Sequence, residues 1–146
     1  MERSLVIIKP DGVLRGLTGV LLSRLERLGL RITALKMIHM SRALAEEHYA
    51  PHRDKPFFNS LVTYITSSPV VVAIFEGDDA VARIRETIGP TNPAVASPYT
   101  IRGEFGVDIE RNTIHASDSV ETAARELALF FGPSEIFSYP AQSTGL

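Results

Sequence analysis

The side chains able to do covalent chemistry are few in this chain, and their scarcity directs attention to histidine. There is no cysteine, which excludes thiol catalysis and disulfides. No Gly-x-Ser-x-Gly elbow, Walker-type phosphate loop, glycine-rich kinase loop or His-Glu-x-x-His spacing occurs. Two short stretches are unusual. Lys9-Pro10-Asp11-Gly12 sets a charge at the end of an apolar run, where a buried cation needs a partner. Asn112-Thr113-Ile114-His115-Ala116-Ser117-Asp118-Ser119 places His115 just ahead of two good helix caps. Free N–H groups and the dipole at a helix start favour an anion. A neutral imidazole there is a nucleophile toward phosphorus near pH 7. Ser117, Asp118 and Glu126 are candidates to orient the ring and fix its tautomer. Taken alone, the histidine reads more simply as a satisfied core residue, and Asp118 and Ser119 as caps.

The elements that would position these groups follow from the hydrophobic period. Leu5–Ile8 is a short apolar run that reads as a buried strand, ended by the turn Pro10-Asp11-Gly12. Val20, Leu21, Leu25 and Leu28 recur with helical spacing before Gly29. Arg31–Ile38 alternates as a second strand. Ser41 caps a short helix through Tyr49, and Phe57, Leu61, Tyr64 and Ile65 give another helical stripe stopped by Pro69. By spacing alone Phe57 is a core residue. Val70–Phe75 is the strongest strand signal. Asp78 is the expected cap of a helix bearing Val81, Ile84 and Ile88. Residues 89–106 hold Pro90, Pro93 and Pro98 with little period, so they read as a long irregular loop of the kind that carries function. Ile109–His115 reads as a weak strand. Val120, Ala124, Leu127 and Phe131 form the stripe of the last helix, which ends at Gly132-Pro133.

With the short helix pair set aside as an insertion, the order is βαββαβ. The fold class is therefore α+β, a ferredoxin-like antiparallel four-stranded sheet with helices packed on it. At 146 residues the chain is one domain, residues 1–146. Its net charge of −2 argues against non-specific nucleic acid or membrane binding as the main task. It shows neither a secretory leader nor the run of about 20 apolar residues of a membrane span. A cytoplasmic protein is the expectation.

Six segments, in order and spacing, resemble the nucleoside diphosphate kinases from about Ser4 to Phe131. They are KPDGVLRGL (Lys9–Leu17), HYAPHRDKPFF (His48–Phe58), SSPVVVAIFEG (Ser67–Gly77), TNP (Thr91–Pro93), TIRGEF (Thr100–Phe105) and RNTIHASDS (Arg111–Ser119). The resemblance implies transfer of a γ-phosphate between nucleotides, in two half-reactions, through phosphorylated His115. It implies that Lys9 and Asn112 hold sugar hydroxyls and phosphates. It implies that Tyr49, His52, Arg85, Thr91 and Arg102 bind phosphate oxygens. Phe57, with Leu61 nearby, would stack one face of the base and Ile109 the other. Ser117 and Glu126 would support the His115 ring, while Arg15 and Asp118 would be structural. Mg²⁺ would ride on the nucleotide's own phosphates, with no protein metal ligands. Nucleoside di- and triphosphates would be the partners, within a homo-oligomer, a hexamer before a tetramer.

Four positions depart from the family pattern. Ala116, Tyr99 and Glu110 stand where glycine is usual, Glu110 near the expected base site where it would alter base contacts, and Pro90 is unusual between Gly89 and Thr91. If Ala116 requires positive φ, it costs about 1 kcal/mol. These departures motivate an alternative, a weakly active member serving as a nucleotide-binding or protein-interaction module. A third reading is a ferredoxin-like regulatory domain without phosphate chemistry.

Overall fold

The computed structural model describes residues 1–140, so the last six residues of the expected domain lie outside the described residues. Strand β1 (Glu2–Ile8) leads through Lys9 into a one-turn helix α1 (Pro10–Leu14), then α2 (Thr18–Glu26) and β2 (Arg31–Ile38). Next come α3 (Arg42–His48), α4 (Phe58–Ile65), β3 (Val70–Gly77) and α5 (Ala80–Ile88). The chain closes with α6 (Ile101–Phe105), β4 (Ile114–Ala116) and α7 (Val120–Phe130). The sheet order is β2-β3-β1-β4 and every neighbouring pair is antiparallel. This is the ferredoxin-like plan.

Both faces of the sheet are covered. Leu5, Ile7, Val70, Val72 and Ile74 pack under α3, α4 and α7. Val6, Ile8, Val71, Ala73 and Phe75 face α2 and α5. Two buried faces explain why β1 and β3 read as continuous apolar runs rather than alternating ones.

Local corrections have identifiable causes. Pro10-Asp11-Gly12 is the start of α1 and not a free turn, since proline suits a first helical position. The cap position of α5 is Asp79, not Asp78, in a left-handed conformation (φ 51°) with no capping side-chain bond of its own. Glu2, far away in sequence, caps instead: its Oε1 accepts from Val81 N at 3.1 Å. Residues 101–105 of the expected loop are helical, capped by Thr100 Oγ1 accepting from Gly103 N. A Cβ on Gly103 would collide with the Ser97 carbonyl, so only glycine permits this approach. The strand expected from Ile109 to His115 shrinks to Ile114–Ala116. Asp108 Oδ1 accepts from the backbone N–H of Glu110 and Arg111, which folds 108–111 into a tight turn.

On α7 the buried positions are Ala123, Glu126 and Phe130, while Val120 is half exposed and Ala124 exposed. A carboxylate occupies the core-facing row, so a count of apolar residues rotates the stripe by one position. On α4 the core side chains are Phe58, Val62 and Ile65, and Phe57 is 45% exposed. The core reading of Phe57 is therefore wrong.

Candidate active site

His115 sits on an edge strand. β4 pairs only with β1, His115 opposite Ile7. Alternation sends Ile114 and Ala116 into the core under α2 and α5, and His115 to the opposite face. Its Nε2 lies 3.1 and 3.2 Å from the two carboxylate oxygens of Glu126 on α7. Ser117 Oγ donates to Glu126 Oε1 at 2.7 Å and accepts from Leu5 N at 3.0 Å. Burial pushes the Glu126 carboxyl up, but the hydrogen bond and charge of His115 outweigh it, so the group stays below the usual carboxylate range. An ionised carboxylate can only accept, so in the neutral ring Glu126 favours the tautomer with the proton on Nε2 and the lone pair on Nδ1. His48 lies edge-on to the ring, centroids 4.7 Å apart. Burial, then the neighbouring His115, pulls His48 down to about 3. It is therefore neutral.

The ring opens on a cavity of about 510 Å³. Three cations converge on it. Lys9 follows β1, with its backbone N–H held by the Thr113 carbonyl at 2.9 Å. Burial, then Arg102, lowers its ammonium to about 8. Arg102, on α6, donates to the carbonyls of Gly89 and Ile114 at 3.0 and 2.7 Å. Burial, then Arg85, lowers it to about 10. Its Nε is buried without a hydrogen-bond partner. Arg85, on α5, reaches the Ala116 carbonyl at 3.4 Å. Among the described residues none of the three forms an ion pair. Three cations without a paired carboxylate, Lys9 and Arg102 buried and Arg85 partly so, form a receptor for an anion. Tyr49 follows α3, and His52 and Thr91 line the same cavity. Burial, then Glu110, pushes the Tyr49 hydroxyl up, so it stays a neutral hydrogen-bonding group.

The far end is an apolar slot. Phe57 precedes α4, Leu61 lies one turn on, and Ile109, 61% exposed, is across from them. Asn112 is buried. Its Nδ2 donates to the carbonyls of Thr91 and Ile109, and its Oδ1 has no partner. The next residue, Thr113, has φ 79°. A β-branched residue there is strained, a condition that gathers at functional sites. It is held by Thr113 Oγ1 donating to Asp11 Oδ2 at 2.9 Å and by the bond to Lys9 N. A Cβ on Gly12 would lie 2.8 Å from Ile8 Cγ2 and 3.1 Å from the Thr113 carbonyl, so the Lys-Pro-Asp-Gly turn packs directly on this segment.

The twelve sequence-derived positions His115, Lys9, Asn112, Glu126, Tyr49, His52, Phe57, Leu61, Arg85, Thr91, Arg102 and Ile109 all line this one cavity. Ser117 stands behind Glu126. A model of the nucleoside diphosphate kinases matches residues 2–136. The chain belongs to the nucleoside diphosphate kinase family. It is 53% identical to a nucleoside diphosphate kinase of Dehalococcoides mccartyi over 139 residues, 95% of this chain and 98% of that one. It is 55% identical to one from Archaeoglobus fulgidus, covering 95% and 92%. Among solved structures it superimposes on a halophilic nucleoside diphosphate kinase from Halobacterium salinarum in complex with CDP. The TM-score is 0.93 at 45% identity, with 95% and 93% of the two chains covered. The Aquifex aeolicus nucleoside diphosphate kinase gives a TM-score of 0.91 at 45% identity, with 93% and 99% covered. The family assignment makes the chain an enzyme of nucleotide phosphate transfer.

Sequence reasoning gave no role to two neighbours of the site. His48 lies inside a matched segment but was given no role. Arg125 lines the cavity and donates to the carbonyls of Glu47 and His48. Glu110, the departure expected near the base site, does line the cavity and accepts from Ser60 Oγ at 2.6 Å. Asp118 is exposed, and Ser119, not Asp118, caps α7 by accepting from Thr122 N. Arg15 is structural, donating to the Phe105 carbonyl.

Proposed function

We propose that His115 Nδ1 attacks the γ-phosphorus of a bound nucleoside triphosphate. The bond from phosphorus to the bridging oxygen breaks, the diphosphate leaves, and phosphohistidine remains. A second nucleoside diphosphate then takes the phosphoryl group by the reverse path, restoring the ring. The observation that carries this reading is the clamped Nε2, which leaves Nδ1 free beside Lys9, Arg85 and Arg102. Charge spreads over the equatorial oxygens during such a transfer, so fixed donors supply most of the catalysis. Arginine matches phosphate with forked donors and lysine adds a point charge. Tyr49, His52 and Thr91 complete the phosphate contacts. Glu126 and Ser117 hold the ring and the charge it gains.

Lys9 and the unpartnered Asn112 Oδ1 suit the sugar hydroxyls. The base fits between Phe57 and Ile109, with Leu61 at the edge. Stacking accepts any π face, so broad base specificity follows. Mg²⁺ takes oxygen ligands. The carboxylate-containing cluster found among the described residues is nitrogen-rich and lies behind His115, so the chain's residues suit a metal brought by the nucleotide. When bound, Mg²⁺ would neutralise part of the phosphate charge. The chain is further proposed to act in the cytoplasm as a homohexamer. Among the described residues, no helix is long and apolar enough to cross a membrane.

The test is incubation with γ-labelled ATP. An acid-labile phosphate is expected on the wild type and not on His115→Ala. Equal labelling of both proteins overturns the assignment of the nucleophile.

A further inference from the structure

The support behind His115 has the makings of a second site. His48, His115 and Glu126 each offer one ligand atom, and the three atoms lie within 4.8 Å of one another. His48 Nδ1 is 3.6 Å from Glu126 Oε2, and His115 Nε2 is 3.1 Å from that same oxygen. A tetrahedral zinc ion with bonds near 2.0–2.1 Å separates its ligands by about 3.4 Å, between those two distances. His48 Nδ1 is also a buried nitrogen with no hydrogen-bond partner; its side chain is 1% exposed. Buried polar atoms normally have one. A three-ligand zinc site commonly takes a water in its fourth position. Two imidazoles and one carboxylate suit Zn²⁺ and not Mg²⁺.

We propose that His48 Nδ1, His115 Nε2 and Glu126 form a binding site for Zn²⁺ that switches the phosphotransfer centre off. The ion takes the Nε2 lone pair of His115, and the ring proton it displaces moves through water to Nδ1. His115 stays oriented, but Nδ1 then carries the proton and has no lone pair to offer phosphorus. Inhibition is therefore not relieved by raising nucleotide concentration, because the ion sits behind the ring and not among the phosphates. Metal binding rests on geometry alone. The loss of activity rests in addition on the proposed role of His115.

Zinc titration of the nucleotide-free protein by calorimetry, with zinc-edge X-ray absorption on the product, tests the site. One ion per chain with nitrogen and oxygen ligands is expected. His48→Gln, His115→Asn and Glu126→Gln should each weaken binding at least tenfold, with thermal melts confirming that each is folded. His39→Gln, an exposed histidine elsewhere, should leave binding unchanged. Absence of binding, or binding untouched by all three variants, overturns the site. Labelling by γ-labelled ATP with Mg²⁺ in excess and zinc held by a buffer reads the second part. At least a tenfold loss of phosphoenzyme formation at zinc saturation is expected. Full labelling of a zinc-loaded protein overturns the switch, while the calorimetric site stands independently of it.

Discussion

In the proposed mechanism Glu126 does two jobs with one carboxylate: it holds the His115 ring through Nε2 and answers the charge the ring gains. Ser117 keeps it in place through a bond to β1, so its effect on chemistry is indirect. Ser117→Ala should remove one hydrogen bond to a charged group, about 1.5–3 kcal/mol. The expected result is a fall in kcat of about ten- to a hundredfold with little change in KM, read from steady-state exchange. Glu126→Gln should lower kcat further, since it also removes the charge.

Lys9 gives a stability test of the same site. Its pKa is lowered from 10.5 to about 8. The unfolded chain therefore holds a proton between pH 8 and 10.5 that the folded chain has lost, and stability rises with pH across that window. Below pH 8 the buried charge costs about 3 kcal/mol. Lys9→Met should be more stable than wild type at pH 7 in denaturant melts, lose the rise between pH 8 and 10.5, and fail to bind nucleotide. A wild type no less stable at pH 7 than at pH 10 relative to Lys9→Met contradicts this. The four departures carry less weight than their sequence context suggests. Neither Ala116 nor Tyr99 has positive φ, so the expected cost of about 1 kcal/mol at Ala116 does not arise. That removes one motive for reading the chain as an inactive module.

At the scale of elements, α4 separates function from stability over two adjacent residues. Phe57 is 45% exposed at the slot, and Phe58 is buried in the core. Phe57→Ala should raise KM about ten- to a hundredfold for purine and pyrimidine nucleotides alike, from about 1–3 kcal/mol of lost stacking, and leave the melting temperature nearly unchanged. Phe58→Ala should cost about 3–5 kcal/mol of stability. Equal loss of stability in both variants argues that Phe57 belongs to the core after all. The connection before α7 works similarly. Ser119 caps the helix that carries Glu126, and Ser119→Ala should cost about 1 kcal/mol, visible as a lower denaturant midpoint.

For the whole molecule, the sheet ends in β2 at one edge and β4 at the other. The start of the β2 edge is covered by residues 137–139, with Phe137 N and Tyr139 OH donating to the Thr33 and Ile32 carbonyls, but Leu35 and Met37 further along are 51% and 61% exposed, apolar side chains at a sheet edge of the kind that seeks a partner. Sedimentation should give a mass near six chains of 16.0 kDa, and Met37→Glu should shift it toward smaller species. A monomeric wild type contradicts the proposed assembly.

Local order was legible in the residues themselves. Val70–Phe75 gave the strongest strand signal, Ser41 is a cap by chemistry, and the matched segments hold His115, Lys9 and Arg102, with Arg85 outside them. The period fails where a polar group is buried for a purpose, as at Glu126, or an aromatic is exposed for one, as at Phe57. Other features were decided by the tertiary structure alone. Glu2 caps a helix 79 residues away, His48 comes edge-on to His115, Ser60 reaches Glu110, and a strained Thr113 is held by Asp11. The physical reason is range. Propensity and hydrophobic period act over one or two turns of chain. The charge, burial and hydrogen bonding of the site are set by side chains that meet only once the sheet has closed and both of its faces are covered.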